Sequence, residues 1–204
     1  MTDDDSLSTA LWTTRSVEDT VALYRDWAAT YDADVLGSGY VTPIRAAAML
    51  AQHVALDTPV LDFGCGTGLS GKALAEAGFT CVDGTDITPE MLALAEGSGW
   101  YRRLWLSDPG DLDIKTGAYP AILACGVVSL GAAPPETLVL LVDRLAPDGL
   151  LVFSYNDPTL KDAAYMGQLQ ALLDDGTARL VAREHGPHLP DKGLGSEVIV
   201  LQRR

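Results

Sequence analysis

The sequence has few cysteines, and their positions match neither a disulfide framework nor a structural metal site. The chain of 204 residues contains three, Cys65, Cys81 and Cys125, with no Cys-x-x-Cys pair and no cluster of cysteine with histidine. Disulfide-dependent domains carry even numbers of closely spaced cysteines, and zinc sites pair cysteine with cysteine or histidine. We therefore expect no metal site, and we expect reduced thiols, as in a cytoplasmic protein.

Basic residues are also scarce. The chain has 14 Lys and Arg against 28 Asp and Glu, which gives a formal net charge of -14 at pH 7. Binding to a nucleic-acid backbone or to an anionic membrane surface depends on clustered Lys and Arg. The charge therefore predicts no nucleic-acid partner and no membrane partner, and the acidic start MTDDDSLSTA is unlike a signal peptide.

Long apolar runs are limited to one uncharged stretch, residues 116–135. This stretch has the length of a membrane span. It also contains three glycines and three prolines, which would leave backbone groups unpaired in lipid. A buried strand followed by a loop is the better interpretation, within a single domain whose 48% hydrophobic residues supply a large core.

Apolar strands alternate with helical segments along most of the chain. The predicted strands are VLDF (60–63), TCVDGTD (80–86), RLWL (103–106), AILACGVV (121–128), LLVFSY (150–155), TARLVARE (177–184) and EVIVLQ (197–202). Helices are expected between them at 69–77, after Thr88 as N-cap, at 135–145 and at 159–173. This alternation predicts an α/β fold with a doubly wound, mostly parallel seven-stranded sheet. The last two strands are expected to pair as a C-terminal antiparallel hairpin across a loop at 185–196.

Two further helices are expected before the first strand. Ser16 begins one, with Asp19 as its capping partner, and an apolar face runs along it. That face is formed by Val17, Val21, Tyr24, Ala28 and Tyr31. Gly37 and Gly39 end the helix, and Pro43 begins a second one that continues to about Ala55. The first 15 residues are predicted to be a loose tail.

Three glycines, Gly64, Gly66 and Gly68, separate the first strand from the helix that follows it. Glycine suits a point where a cofactor approaches a strand end, and the helix N-terminus favours an anionic group. The spacing is ambiguous, because Gly66, Gly68 and Gly71 also satisfy the dinucleotide pattern G-x-G-x-x-G. Asp86, twenty residues after Gly66, matches the ribose-binding acid of that pattern as well. The glycines alone thus indicate an adenosine cofactor, or only a tight turn.

Two features favour S-adenosylmethionine over a nicotinamide dinucleotide. Asp62 precedes the first glycine by two residues, where a carboxylate repels a pyrophosphate but suits an ammonium or a sulfonium. The chain also ends in a hairpin rather than in a second βαβαβ half. A nicotinamide oxidoreductase would need a group such as Tyr-x-x-x-Lys, and Tyr155 and Lys161 are six apart. That oxidoreductase and a non-catalytic adenosine-cofactor-binding protein remain the alternatives.

Three segments resemble the class I S-adenosylmethionine-dependent methyltransferases. VLDFGCGTG (60–68) is similar to motif I of that family, GTDITPEML (84–92) to its second-strand segment, and LAPDGLLVFS (145–154) to the segment before its fifth strand. TYDADV (30–35), the Gly-Tyr pair at 39–40 and AILACGVVSLG (121–131) resemble the Williams–Beuren-region methyltransferase-like group. The resemblance implies methyl transfer from S-adenosylmethionine, with S-adenosylhomocysteine as product. It also implies a Rossmann-like domain at 57–204, preceded by a tail and helical lid at 1–56.

The resemblance implies cofactor-binding roles for the residues that match the family's motifs. Asp86 is expected to bind the ribose hydroxyls. Gly64, Gly66, the Cys65 backbone and Gly68 are expected around the methionine part, and Asp62 as an indirect ligand of its amino group. Ile87 and Met91 are expected beside the adenine, and Cys125 and Gly126 beside the sulfonium, with Tyr31 and Tyr40 over it. Ser107, Asp108 and Asp111 compete for the adenine amino group, and Asp108 is preferred. Met91 could equally belong to the core, and Tyr31 could merely continue the apolar helix face.

No residue is assigned as a catalytic base. The sulfonium is already an activated leaving group, so the protein mainly has to align the acceptor in line with it. The acceptor atom and the oligomeric state stay open. A chain of this length has no room for a separate substrate domain beside the methyltransferase core, so we expect a small-molecule acceptor.

Overall fold

Seven strands form one sheet in the order β3-β2-β1-β4-β5-β7-β6 in the computed structural model, which describes residues 13, 15–109 and 113–204. The strands are β1 Val60–Phe63, β2 Val82–Asp86, β3 Arg103–Leu106, β4 Tyr119–Ala124, β5 Leu145–Asn156, β6 Ala178–Leu189 and β7 Leu194–Arg203. Strands β1 to β5 pair in parallel, and β7 is antiparallel to both β5 and β6. The predicted fold class is confirmed, whereas most of the predicted tail lies outside the described residues.

Eight α-helices and one 3-10 helix connect the strands in the part of the chain that the structure describes. They are α1 Val17–Trp27, α2 Tyr31–Gly37, α3 Thr42–Ala51, α4 Leu69–Glu76, α5 Pro89–Glu96, α6 Thr137–Arg144, α7 Asp157–Leu160, α8 Ala163–Asp174 and the 3-10 helix Pro190–Lys192. No helix among these residues is long and apolar enough to cross a membrane. The uncharged stretch 116–135 instead supplies β4 and the loop after it.

The core lies on both faces of the sheet because successive side chains of a strand point to opposite sides. Leu61 and Ile122 belong to one buried cluster, which α6 and α8 cover with leucines. Val60 and Leu123 belong to the other, together with residues of α3 and α4. Each central strand is therefore buried on both faces, and its sequence is a nearly continuous run of apolar residues.

The N-terminal segment differs from the prediction of one long helix followed by another. Ser16 does cap the first helix, since its Oγ accepts the N–H of Asp19 at 3.1 Å. That helix ends at Trp27, however, and a separate helix, α2, begins at Tyr31. The next helix, α3, ends at Ala51 rather than Ala55. It packs into the sheet core, so α1 and α2 are the helices left to cover the carboxyl end of the sheet.

The C-terminal hairpin is longer than predicted, and the expected loop at 185–196 is mostly paired strand. Arg45 of α3 supports it, because its guanidinium donates to the carbonyl oxygens of Glu184, Pro187 and Ser196. His188 Nδ1 lies 2.8 Å from Thr42 Oγ1 and anchors the same strand. The glycine and proline residues that suggested a loop are thus held in the sheet by contacts with a distant helix.

Candidate functional site

A cavity of about 610 Å³ opens at the carboxyl ends of β1, β2 and β4, beneath α1 and α2. Ligand pockets in proteins have volumes of this order. The cavity is lined by ten of the predicted cofactor-binding residues: Tyr31, Gly64, Gly66, Asp86, Ile87, Met91, Ser107, Asp108, Cys125 and Gly126. The other four, Tyr40, Asp62, Cys65 and Gly68, lie outside its wall.

The glycine loop is tied to the neighbouring strand β2. The backbone N–H groups of Gly64 and Cys65 donate to the carbonyl oxygen of Thr85 at 2.8 and 3.0 Å. Gly64 and Gly66 both have positive φ, +67° and +55°, a conformation that glycine adopts without strain. A Cβ on Gly64 would lie 2.4 Å from Val127, whereas a Cβ on Gly66 would meet nothing within 4 Å. Gly64 is therefore required by packing, and Gly66 leaves open space in the cavity wall.

Asp86 at the end of β2 organises the backbone around this loop. Its Oδ2 accepts the N–H of Gly66 at 2.9 Å, and its Oδ1 accepts the N–H of Thr88 at 2.8 Å. Thr88 is the N-cap residue of α5, as predicted, but its side chain makes no capping bond, and Asp86 holds the start of the helix through the N–H of Thr88 itself. Burial raises the pKa of Asp86, although these hydrogen bonds favour its ionised form.

Asp62 lies fully buried beneath the loop. Its Oδ2 accepts hydrogen bonds from Ser70 Oγ at 2.6 Å and from the Tyr101 hydroxyl at 2.7 Å. Its Oδ1 has no partner among the described residues. Burial raises the pKa of Asp62 to about 6, against the lowering effect of the two donors. A buried carboxylate oxygen without a donor is rare in native proteins and marks a place where a ligand or water binds.

Tyr101 is a site residue that sequence reasoning missed. Besides binding Asp62, its hydroxyl accepts the N–H of Gly71 at 3.1 Å. A Cβ at Gly71 would lie 2.3 Å from this side chain, and one at Gly84 would lie 2.8 Å from it. Gly71, which suggested the third glycine of a dinucleotide pattern, makes room for Tyr101. Two glycines on neighbouring elements were the only sign in the sequence of a large side chain between them.

On the other side of Asp86, the wall is formed by β3 and α5. Ser107 is buried, and its Oγ has no hydrogen-bond partner among the described residues. Asp108 is exposed at the edge of the cavity, and Asp111 lies outside the described residues. Met91 lines the cavity but is only 2% exposed, so it serves both the wall and the core.

Beneath α1 and α2, Cys125 and Gly126 follow β4, which ends at Ala124 rather than at residue 128 as predicted. Gly126 leaves the sheet because its N–H donates to Ser154 Oγ at 2.9 Å. The Tyr40 hydroxyl lies 3.6 Å from Cys125 Sγ, but Tyr40 does not line the cavity. Of the two predicted tyrosines, the structure therefore brings only Tyr31 to the cavity wall. Burial raises the pKa of the Cys125 thiol to about 12, so this thiol stays protonated at neutral pH.

Four residues of the N-terminal segment line the cavity and were not predicted as site residues: Arg15, Val17, Thr20 and Tyr24. Arg15 donates from Nη1 to the carbonyl oxygen of Gly131 at 2.8 Å, which links the start of α1 to the loop after β4. Tyr24 lines the cavity seven residues before Tyr31, on the same apolar face of the sequence. That face predicted packing, but its pattern did not distinguish contact with a core from contact with a ligand.

Comparison with known proteins identifies the domain. A family described as a methyltransferase domain matches residues 61–151. Human methyltransferase-like protein 27 is 34% identical over 159 residues, which cover 74% of this chain and 63% of that protein. The 18S rRNA (guanine(1575)-N(7))-methyltransferase of Saccharomyces cerevisiae is 29% identical over 118 residues, 57% of this chain and 37% of that protein. The chain thus spans less than two thirds of the length of either relative.

Solved structures share the fold over nearly the whole chain. Magnesium protoporphyrin IX methyltransferase from Synechocystis PCC 6803, with bound S-adenosylmethionine, has a TM-score of 0.67 at 19% identity, covering 94% of this chain and 100% of that one. A methyltransferase in complex with the Trm112 activator of Haloferax volcanii has a TM-score of 0.68 at 16% identity, covering 92% and 97%. Together with the strand order, these matches assign residues 61–151 to the methyltransferase domain family and give the chain the fold of the class I S-adenosylmethionine-dependent methyltransferases.

Proposed function

We propose that the protein transfers a methyl group from S-adenosylmethionine to a small-molecule acceptor. The observation that carries this proposal is the pair of carboxylates next to the glycine loop, the fully buried Asp62 and the half-buried Asp86, together with the open space at Gly66. Asp86 lines the cavity and has acceptor capacity left for ribose hydroxyls. The unpartnered Oδ1 of Asp62 suits the cationic amino group at the other end of the cofactor. Buried Ser107, with its free Oγ, suits the polar edge of an adenine.

Asp62 disfavours the nicotinamide alternative. A pyrophosphate on the glycine loop would lie close to this buried carboxylate, in a poorly solvated site where like charges repel strongly. Tyr155 and Lys161, the pair considered for hydride transfer, also differ in burial. Tyr155 is fully buried in the core, whereas Lys161 is exposed. The charges around the glycine loop therefore fit a cationic ligand better than a pyrophosphate.

The residues of this chain contribute positioning rather than proton transfer. When bound, the cofactor supplies a methyl group on a sulfonium, which is already a good leaving group. Gly66 lets the backbone approach the ligand closely, and Asp86 fixes the loop to α5. Helices α1 and α2 cover the site and exclude water, so the acceptor is held in line with the methyl group. We take these two helices to be the lid.

A small acceptor is supported by the form and charge of the site. The covered cavity admits a compact molecule beside the cofactor, and the net charge of -14 opposes a polyanion. The yeast relative is named for a guanine in 18S rRNA, so RNA is the competing acceptor class. The three free cysteines and the small acceptor fit a cytoplasmic protein.

An activity screen separates these classes of acceptor. The protein is incubated with methyl-labelled S-adenosylmethionine and either a deproteinised, RNA-free metabolite extract or total RNA. We expect labelled small molecules from the extract and no label in RNA. Label in RNA alone would contradict the small-molecule acceptor. No transfer from a donor that binds tightly would favour a non-catalytic cofactor-binding protein.

A glycine substitution tests whether the open space at Gly66 is the cofactor site. Gly66→Ala places a methyl group in that space at a φ of +55°, so we expect a loss of about 1 kcal/mol in the free energy of unfolding. We also expect S-adenosylhomocysteine binding to weaken by about tenfold or more, because an added methyl group overfills the contact. Calorimetry and denaturant unfolding measure the two effects.

The matched control is Gly176→Ala. Gly176 follows α8 with a φ of +76°, and an added Cβ there also meets nothing within 4 Å, but the residue does not line the cavity. It should lose similar stability and keep its affinity. Equal affinities for the two variants would show that the space at Gly66 does not hold the cofactor.

A further inference from the structure

The cavity contains two phenol hydroxyls for which the fold supplies no partner. The chain has seven tyrosines. Five of them place the hydroxyl within hydrogen-bond distance of another group, namely Tyr40, Tyr101, Tyr119, Tyr155 and Tyr165. The hydroxyls of Tyr24 and Tyr31 have no such partner among the described residues, and both side chains line the cavity. Both residues are half-buried, and neither hydroxyl is one of the buried unpartnered atoms, so both are open to a ligand that enters the cavity.

The two rings are held rigidly by the residue between them. The Trp27 ring stacks on Tyr24 at a centroid distance of 6.2 Å and meets Tyr31 edge-on at 4.8 Å. The indole N–H of Trp27 donates to Asp34 at 2.6 Å, and the Thr30 hydroxyl donates to the same carboxylate at 2.9 Å. The phenols are therefore preorganised, and binding a ligand costs little side-chain entropy.

Both phenols keep their protons and act as hydrogen-bond donors. Burial raises the pKa of Tyr24, and the negative charge of Asp86 raises it further, against the opposing effect of Arg15. Burial likewise raises the pKa of Tyr31, with Tyr24, Cys125, Asp32 and Asp86 acting in the same direction. The Tyr31 hydroxyl thus lies in the electrostatic neighbourhood of Cys125 and Asp86, beside the predicted position of the transferable methyl group.

The described groups around that position offer no free base. Cys125 is protonated, and Asp86 is held by two backbone N–H groups, with its remaining acceptor capacity assigned to the ribose of the cofactor. The other carboxylates of the wall, Asp108 and Glu136, are exposed at its outer edge. His188 lies behind Tyr40 and is hydrogen-bonded to Thr42. An acceptor that had to lose a proton during the reaction would find no described group in place to take it.

We propose that the hydroxyls of Tyr24 and Tyr31 bind and orient the methyl acceptor, and that the acceptor presents to them an oxygen already ionised at neutral pH, such as a carboxylate. This inference rests on the proposed function. The carboxylate oxygen forms a bond to the methyl carbon while the carbon–sulfur bond breaks, and its electron pair stays on the sulfur. No proton moves in this step, in accordance with the absence of a base among the described residues. Neutral phenols orient the oxygen but do not neutralise its charge, whereas a cation would neutralise it. The oxygen therefore remains nucleophilic.

The test uses binding to the protein saturated with S-adenosylhomocysteine. The probes are benzoate, its neutral analogue benzamide and the cationic benzylamine, measured by calorimetry or ligand-observed NMR. We expect benzoate to bind about tenfold more tightly than either analogue, because hydrogen bonds to charged groups are the stronger ones. We expect Tyr24→Phe and Tyr31→Phe each to weaken benzoate binding by about fivefold. The affinity for S-adenosylhomocysteine should fall by less than about twofold, because phenylalanine keeps the ring that is expected over the sulfonium and removes only the hydroxyl. The control Tyr155→Phe removes a core hydroxyl and should change neither affinity.

Four results would overturn the inference: no binding of benzoate, tighter binding of benzylamine, unchanged benzoate affinity in the Tyr24→Phe/Tyr31→Phe double variant, or loss of S-adenosylhomocysteine affinity in that variant. The last would make the two tyrosines cofactor contacts. Failure of the wild-type protein to bind S-adenosylhomocysteine is a separate result, which overturns the proposed function and this inference with it.

Discussion

Replacing Asp86 with alanine is expected to weaken S-adenosylhomocysteine binding by about 2–3 kcal/mol, roughly 30- to 150-fold. The carboxylate contributes in two ways. It offers charged acceptors to the ribose hydroxyls, and it holds the N–H groups of Gly66 and Thr88, at 2.9 and 2.8 Å, in the positions that shape the loop and the start of α5. Alanine removes both contributions at once. Calorimetric titration of the folded variant measures the loss.

The control for this substitution is Glu90→Ala. Glu90 lies in the first turn of α5, is exposed and does not line the cavity, so this variant changes the net charge equally. It should bind S-adenosylhomocysteine like the wild type. An Asp86→Ala variant with an affinity within about twofold of the wild type would refute the role of Asp86, because a lost charged hydrogen bond costs more than that.

Asp62→Asn is expected to remove the pH dependence of cofactor binding. Burial raises the pKa of Asp62 to about 6, so in the unliganded protein this carboxyl is mostly protonated at pH 5 and mostly ionised at pH 7. Only the ionised form attracts an ammonium group at Oδ1. The wild-type affinity for S-adenosylhomocysteine should therefore rise about tenfold from pH 5 to pH 7 and then level off. The variant should bind more weakly at pH 7 and show no such rise.

The stability of the unliganded protein should change in the opposite sense. A carboxyl whose pKa is higher in the folded than in the unfolded state stabilises the fold at low pH, and this stability is lost as the pH rises from about 4 to about 6. At pH 7 the cost amounts to about 3 kcal/mol, which Asp62→Asn avoids. Denaturant unfolding at pH 7 should find the variant more stable than the wild type. Lower stability together with unchanged binding would contradict a cofactor-binding role for Asp62.

The glycine loop and Asp86 could be predicted from the sequence because they belong to short local patterns. The strand VLDF, the three glycines after it and Asp86 at the end of the next strand lie within 27 residues. Parallel pairing of β1 with β2, in which Phe63 is opposite Thr85, brings them together without any contribution from distant elements. The fold class follows equally directly, because alternating apolar strands and helices leave few arrangements besides a doubly wound sheet.

The features that sequence reasoning missed depend on contacts between distant segments. Tyr101 acquires its role from Asp62, 39 residues earlier, and from the space left by Gly71 and Gly84. The region around Gly186 and Pro187 resembled a loop because its local propensity favours one, yet Arg45 holds it in β6. Tyr24 lies on an apolar helix face whose pattern is the same whether it covers a core or a cavity. Local sequence carries no information about which of the two it covers.

The most direct test of the central claim is a calorimetric titration of the wild-type protein with S-adenosylmethionine, S-adenosylhomocysteine and NAD. The buried carboxylate of Asp62 beneath the glycine loop, with Asp86 available to the ribose, predicts binding of both sulfur-containing ligands and no measurable binding of NAD. Tight binding of NAD, with no response to either sulfur compound, would contradict the proposed function.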